Sequence, residues 1–203
     1  MSYDAILFDF DGVLVDSEPL HHECWSEVLS RFGLGLSWED YAANCIGVSD
    51  KHMVRALCGI HGKPELFDGI WELYPFKKRI FRERVRERVL MPEDTRALLG
   101  ELRMPLAVVS SSGRAEVVPP LEFAGVQERF QAIVCGDDVT RLKPDPEPYL
   151  LGARKLGARR PLVVEDSDAG CAAGRAAGFD VLRVPHADAM ARLLRDQLGA
   201  AIG

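Results

Sequence analysis

The sequence predicts an α/β protein: a parallel sheet covered by helices on both faces, with an all-helical insert after the first strand. Three observations predict it. Short apolar runs (Ala5 to Phe8, Leu106 to Val109, Ala132 to Val134 and Pro161 to Val164) recur between helix-prone stretches. Runs of this kind, without polar alternation, belong to strands buried on both faces. Between Val15 and Val89 no such run occurs, and helical spacing takes its place. The polar residues that follow the runs collect where open α/β sheets bind ligands, beyond the carboxyl ends of the strands.

Taken in order, Ala5 to Phe8 plus Phe10 form a buried strand that empties into Asp9 and Asp11. A strand alternates faces, so these two carboxylates point the same way if extension continues. Gly12 then allows a tight turn. Ser17 can cap the next helix, Pro19 suits its first turn, and Trp25, Val28, Leu29 and Phe32 recur at helical spacing until Gly33. Ser37 caps a short helix to about Asn44, and Gly47-Val48-Ser49 restarts one carrying Met53, Val54 and Leu57 that ends at Gly59. Pro64 to Val89 is long, charged and helix-prone, with a break expected at Tyr74-Pro75.

The alternating half begins after Met91-Pro92. A helix over Glu93 to Leu102 precedes the strand Leu106 to Val109, which ends in Ser110-Ser111-Ser112-Gly113. Next come a helix interrupted at Pro119-Pro120, the strand Ala132 to Val134, the loop Gly136-Asp137-Asp138, and Lys143-Pro144-Asp145-Pro146 opening a helix to Gly157. The strand Pro161 to Val164 empties into Glu165-Asp166-Ser167, and a helix over Ala169 to Ala177 feeds a last strand, Asp180 to Val184.

At 203 residues the chain suits one large or two unequal domains, and 47% apolar against 28% charged residues can bury a substantial core. A net charge of −6 disfavours binding to duplex nucleic acid, which needs a basic face. The five cysteines lack C-x-x-C spacing and read as reduced, packed thiols of a cytoplasmic protein, with no zinc site and no disulfide framework. Neither a secretory signal nor an apolar run of membrane-spanning length is expected.

The strand ends supply four acids (Asp9, Asp11, Glu165, Asp166), the Ser110 hydroxyl and Lys143. Adjacent carboxylates are costly unless a cation or a shared proton offsets them. Phosphoryl transfer needs such a set: a nucleophile, a charge-neutralising metal, donors for the phosphoryl oxygens and a proton shuttle. Mg²⁺ takes oxygen ligands and is usually held by one or two carboxylates plus phosphate, a role open to Asp9 with either Glu165 or Asp166. Ser110 and the backbone N–H groups of Ser111 and Ser112 suit phosphate oxygens, and Lys143 can balance charge and orient the attacking carboxylate.

In order and setting, Asp9-Phe10-Asp11-Gly12-Val13-Leu14, Ser110, Lys143-Pro144 and Glu165-Asp166 resemble the four motifs of the haloacid dehalogenase-like hydrolases. Asp16-Ser17-Glu18 and Gly47-Val48-Ser49 resemble the β-phosphoglucomutase-like branch. The resemblance implies a Rossmann-like core over residues 1–15 and 90–203 and a helical cap over 16–89 that closes on the substrate, with hinges at Val15-Asp16 and Arg88 to Met91. It further implies that Asp9 is the nucleophile forming an aspartyl-phosphate and Asp11 the general acid/base, which also gives Mg²⁺ a backbone carbonyl. Glu165 and Asp166 are implied as acidic metal ligands, Ser110, Ser111 and Lys143 as the phosphoryl holders, and Gly47, Val48, Ser49 and His21 as cap residues facing the substrate.

The activity expected is a Mg²⁺-dependent phosphatase for a small phosphorylated metabolite, such as a sugar or sugar-acid phosphate. A β-phosphoglucomutase-type mutase is the alternative, and a catalytically silent metabolite-binding module a third reading. Related mutases carry an arginine after the Gly-Val-Ser loop; Asp50 stands there and would repel a second phosphate. The short link Leu102 to Pro105 resembles that of sugar-phosphate hydrolases. A dehalogenase normally lacks the second aspartate, Asp11. Lys77 and Lys78 are expected on a solvated helix face, Arg79 to Arg88 on an exposed, salt-bridged helix, and Cys24 and Trp25 in the cap's own small core.

Overall fold

The computed structural model describes residues 3–46, 48, 50–85, 88 and 90–199. The chain divides into two compact units, residues 1–17 with 88–203 and residues 18–87.

The first unit is built on five parallel strands in the order β3-β2-β1-β4-β5. They are β1 (Ala5–Phe8), β2 (Leu106–Val109), β3 (Ala132–Val134), β4 (Pro161–Glu165) and β5 (Asp180–Arg183). Central β1 is buried along its whole length, with Leu7 aligned to Ala107 on one side and Val163 on the other. Alternation divides the sheet's side chains between two cores. Ile6, Phe8, Leu106, Val108, Leu162 and Val164 join one cluster with α6 (Glu93–Glu101), α7 (Arg114–Phe123) and α10 (Ala187–Gly199). Leu7, Ala107, Val109 and Val163 join the other with α8 (Glu147–Leu156) and α9 (Asp168–Ala176). Helices on both faces, joined by crossovers, are what a parallel arrangement requires.

In this unit two features depart from the sequence reading. Helix α7 runs unbroken through Pro119 and Pro120. Each proline removes a backbone donor, but Val117 and Leu121 are fully buried in the first cluster, and that packing holds the helix through the defect. The last helix, α10, was not expected. It is amphipathic, burying Ala187, Met190, Ala191 and Leu194, and its signal is the apolar spacing Ala187, Met190, Ala191 and Leu194.

The second unit contains α1 (Glu18–Ser30), α2 (Trp38–Asn44), α3 (Asp50–Ile60), α4 (Phe67–Glu72) and α5 (Tyr74–Arg84). Ser37 caps α2 by accepting from the Asp40 N–H, and the break before Pro75 falls at Leu73. The core contains Trp25, Val28, Leu29, Tyr41, Met53, Val54, Leu57 and Ile70. Phe67, Trp71, Tyr74 and Trp25 form a stacked ladder, with successive centroids 6.4, 4.5 and 6.2 Å apart. The expected solvated position of Lys77 is corrected: its side chain is fully buried. The amine contacts His21 Nδ1 at 2.8 Å and Asp50 Oδ2 at 3.5 Å, and it lies over the Trp25 and Phe81 rings. A buried ammonium persists only where paired and hydrogen-bonded, and Asp50 supplies the counter-charge. Arg79 pairs with Glu83 along the exposed side of α5, while Arg84 reaches across to Glu27 on α1.

Candidate active site

The acidic turn after β1 is set by backbone geometry. Asp9 continues the sheet by donating its N–H to Val164 O at 2.9 Å. Phe10 turns into the core, leaving Asp9 and Asp11 on the opposite side. The chain then reverses: Gly12 donates to Val15 O at 2.8 Å with φ +78°, a conformation that disfavours other residues. A Cβ at Gly12 would also overlap the Asp166 carboxylate, so the absence of a side chain lets the turn approach β4's end.

Four of the expected residues meet here. Lys143 Nζ lies 2.5 Å from Asp9 Oδ1, 2.6 Å from Glu165 Oε1 and 2.9 Å from Val109 O. An ammonium has three donors, and all three are directed at these acceptors. This lysine is therefore placed to orient Asp9 rather than to reach outward. Asp9, Glu165 and Asp166 each bring an oxygen within 4.8 Å of the others.

Glu165 is held on both oxygens. Oε1 accepts from Lys143 and, at 2.8 Å, from the Tyr149 hydroxyl; Oε2 accepts from the Asp166 N–H, the Ser167 N–H and the Ser167 hydroxyl, each at 3.0 Å. Its carboxylate lies against the first turn of α9, where a Cβ at Gly170 would overlap it. Asp166 is only partly buried beside this site.

Three carboxylates share one ammonium, and the electrostatics follow. Burial pushes Asp9 well above the usual carboxylate range, with Lys143 opposing and Glu165 and Asp166 adding to the rise. Burial, then Glu165, raises Asp166 to about 6. Burial would also raise Glu165, but the Lys143 charge and the donors around it hold it below its ordinary value. The excess of buried negative charge and the all-oxygen donor set fit a hard divalent cation such as Mg²⁺, which would relieve the crowding.

Asp11 stands beside this cluster, clamped by hydroxyls. Ser17 Oγ donates to its Oδ1, and Ser112 Oγ donates to Oδ2 at 2.9 Å. The hydroxyl of Ser17, expected to cap the next helix, is thus directed at the acidic turn. Ser110 is buried at the end of β2, its hydroxyl accepting the Ser112 N–H at 3.0 Å. That N–H points at Ser110 rather than outward, while Ser111 is exposed.

The residues expected from the helical insert lie in the second unit. His21 stacks on Phe81 at 4.3 Å, with its Nδ1 2.8 Å from Lys77 Nζ. Val48 is 43% exposed. Gly47 and Ser49 lie outside the described residues. Tyr149, Ser167 and Ser112's hydroxyl were not singled out from sequence. Tyr149's only signal is a polar aromatic in the first turn of the helix after Lys143, which reads equally well as core.

Known proteins resemble this chain over most of its length. Residues 6–184 match the family model described as haloacid dehalogenase-like hydrolase. The chain is 31% identical over 180 residues to a phosphorylated carbohydrates phosphatase of Thermotoga maritima, covering 87% of this chain and 82% of that one. It is 30% identical over 197 residues to a fructose-1-phosphate phosphatase of Escherichia coli, covering 90% and 96%. Among solved structures, a HAD family hydrolase from Deinococcus radiodurans with bound phosphate and sodium superposes with a TM-score of 0.74 at 32% identity, covering 98% of this chain and 96% of that one.

Proposed function

We propose, from the premise that this chain belongs to the haloacid dehalogenase-like hydrolase family, that it is a Mg²⁺-dependent phosphatase of sugar or sugar-acid monophosphates. The observation that carries this reading is the buried cluster in which one lysine braces Asp9 and Glu165 with Asp166 alongside. Phosphatase relatives acting on phosphorylated carbohydrates and fructose 1-phosphate support the substrate class.

In this reading Asp9 attacks phosphorus and carries the phosphoryl group as an aspartyl-phosphate. Lys143 fixes the attacking carboxylate and offsets its charge. Asp11 gives the departing oxygen its proton and takes one back from the water that cleaves the aspartyl-phosphate. The hydroxyls of Ser17 and Ser112 orient it and, being able to donate or accept, follow its change of state. Ser110, Ser111 and the loop entering α7 receive the phosphoryl oxygens. Mg²⁺, when bound, neutralises developing charge on those oxygens. Because Glu165 is already held by five donors, Asp9 and Asp166 would be its direct carboxylate ligands and Glu165 a brace. Residues 16–89 are read as the cap, with Gly47, Val48, Ser49 and His21 facing the substrate.

A mutase must hold a second phosphate. Asp50 at the head of α3 takes Lys77 as its partner and accepts from Trp25 Nε1 at 2.9 Å, so its negative charge is fixed where a mutase needs a cation. That disfavours the mutase. The test is a phosphoester panel, including fructose 1-phosphate, run with Mg²⁺ on wild type and Asp9→Asn. Wild type should release phosphate and Asp9→Asn should not. No release from any ester, or near-normal rates in Asp9→Asn, rejects the reading; conversion of glucose 1-phosphate to glucose 6-phosphate would establish the mutase.

A further inference from the structure

We infer that Tyr149 is a positioning residue for phosphoryl transfer, acting on Asp9 through Glu165 and Lys143. This rests on the phosphatase reading above and adds a residue that none of the motifs contains.

Tyr149 lies in the first turn of α8 and is fully buried against the sheet, in one cluster with Leu7, Val109 and Val163. Its hydroxyl donates to Glu165 Oε1 at 2.8 Å, the same oxygen that receives Lys143 Nζ at 2.6 Å. That ammonium also stands 4.8 Å from the centroid of the Tyr149 ring. One phenol therefore meets the lysine twice, through its face and through a shared carboxylate oxygen.

The sharing has a direction. Glu165 and Asp9 compete for one ammonium, whose third donor is anchored on Val109 O. A hydroxyl donated to Oε1 draws on that oxygen's charge and weakens its hold on Lys143. Lys143 is thereby kept close to Asp9, 2.5 Å from Oδ1. The π-face attracts the ammonium from a fourth side without a competing charge. Without the hydroxyl, Oε1 would pull Lys143 toward Glu165, and Asp9 would lose the partner that fixes its line of attack. Small displacements of this kind cost rate rather than binding.

The test uses the best substrate from the panel. Tyr149→Phe keeps the ring and its volume and removes only the O–H. It should lower kcat about tenfold while KM stays within about twofold and Tm changes by only a few degrees. A second measurement separates positioning from packing: in a Glu165→Gln background, where the contested charge is gone, adding Tyr149→Phe should lower the single-turnover rate less than about twofold. The inference is overturned if Tyr149→Phe retains kcat within about twofold, or if the two substitutions multiply independently. A wild type inactive on every ester sinks the phosphatase reading and this inference with it. An active wild type with an unaffected Tyr149→Phe sinks this inference alone.

Discussion

Metal affinity should depend steeply on pH, with a slope set by the crowding of carboxylates. Asp166 is lifted from an ordinary 3.8 to about 6 by burial and by Glu165. At pH 7 roughly a tenth of its carboxyls carry a proton, and at pH 5 roughly nine-tenths do. Mg²⁺ must displace that proton, so its dissociation constant should rise about tenfold between pH 7 and pH 5 from this group alone. Asp9, raised by burial as well, steepens the dependence. The same shift acts on folding. A carboxyl raised in the folded state stabilises the protein below its unfolded value, and that contribution is lost as pH rises through the folded one. For Asp166 a shift of about 2 units corresponds to about 3 kcal/mol, halved to about 1.5 kcal/mol because the side chain is only partly buried. Glu165 is held below its ordinary value, so its contribution is lost only as pH falls below 4.5. Between about pH 5 and 7 the raised pair decides the sign: metal-free protein becomes less stable as pH rises, and Mg²⁺ restores it more at pH 7 than at pH 5. Calorimetric titration with Mg²⁺ and urea unfolding with and without chelator measure both effects. A dissociation constant changing less than about twofold over this range, or equal Mg²⁺ stabilisation at both ends, would refute the reasoning.

Two further substitutions probe other parts of the site. Asp11→Asn should leave Asp9 able to accept a phosphoryl group while slowing both proton-transfer steps by about 10²–10⁴-fold, so rapid-quench experiments should trap phosphorylated protein during slow turnover; normal turnover would remove Asp11 from its role. Gly170→Ala places a methyl group on the Glu165 carboxylate. Alanine in a helix normally gains about 1 kcal/mol over glycine, but here overlap should cost about 1–3 kcal/mol, and a stabilised variant in urea unfolding would show that α9 does not pack on Glu165 as described.

The centre of the sheet was legible because β1, β2 and β4 announce themselves twice, by buried, mostly apolar runs and by the acids and hydroxyls at their ends. Helix α7 was misread because a helix's tolerance of Pro119 and Pro120 depends on Val117 and Leu121 finding a core, which local propensity cannot register. Lys77 was misread for a related reason. A lysine in a charged stretch is exposed by default, and only the convergence of α1, α3 and α5 gives it His21 and Asp50 as buried partners. The deeper split runs through the acidic turn itself. The sequence alone determined that Asp9, Asp11, Ser110, Lys143, Glu165 and Asp166 stand at strand ends or in the loops beyond them, since buried strands leave polar residues nowhere else to go. What only the tertiary structure decided is how these groups divide their bonds. Lys143 has three protons, Glu165 two oxygens and Tyr149 one hydroxyl, and which of these meet depends on distances of a few tenths of an ångström that side-chain packing sets and residue order does not.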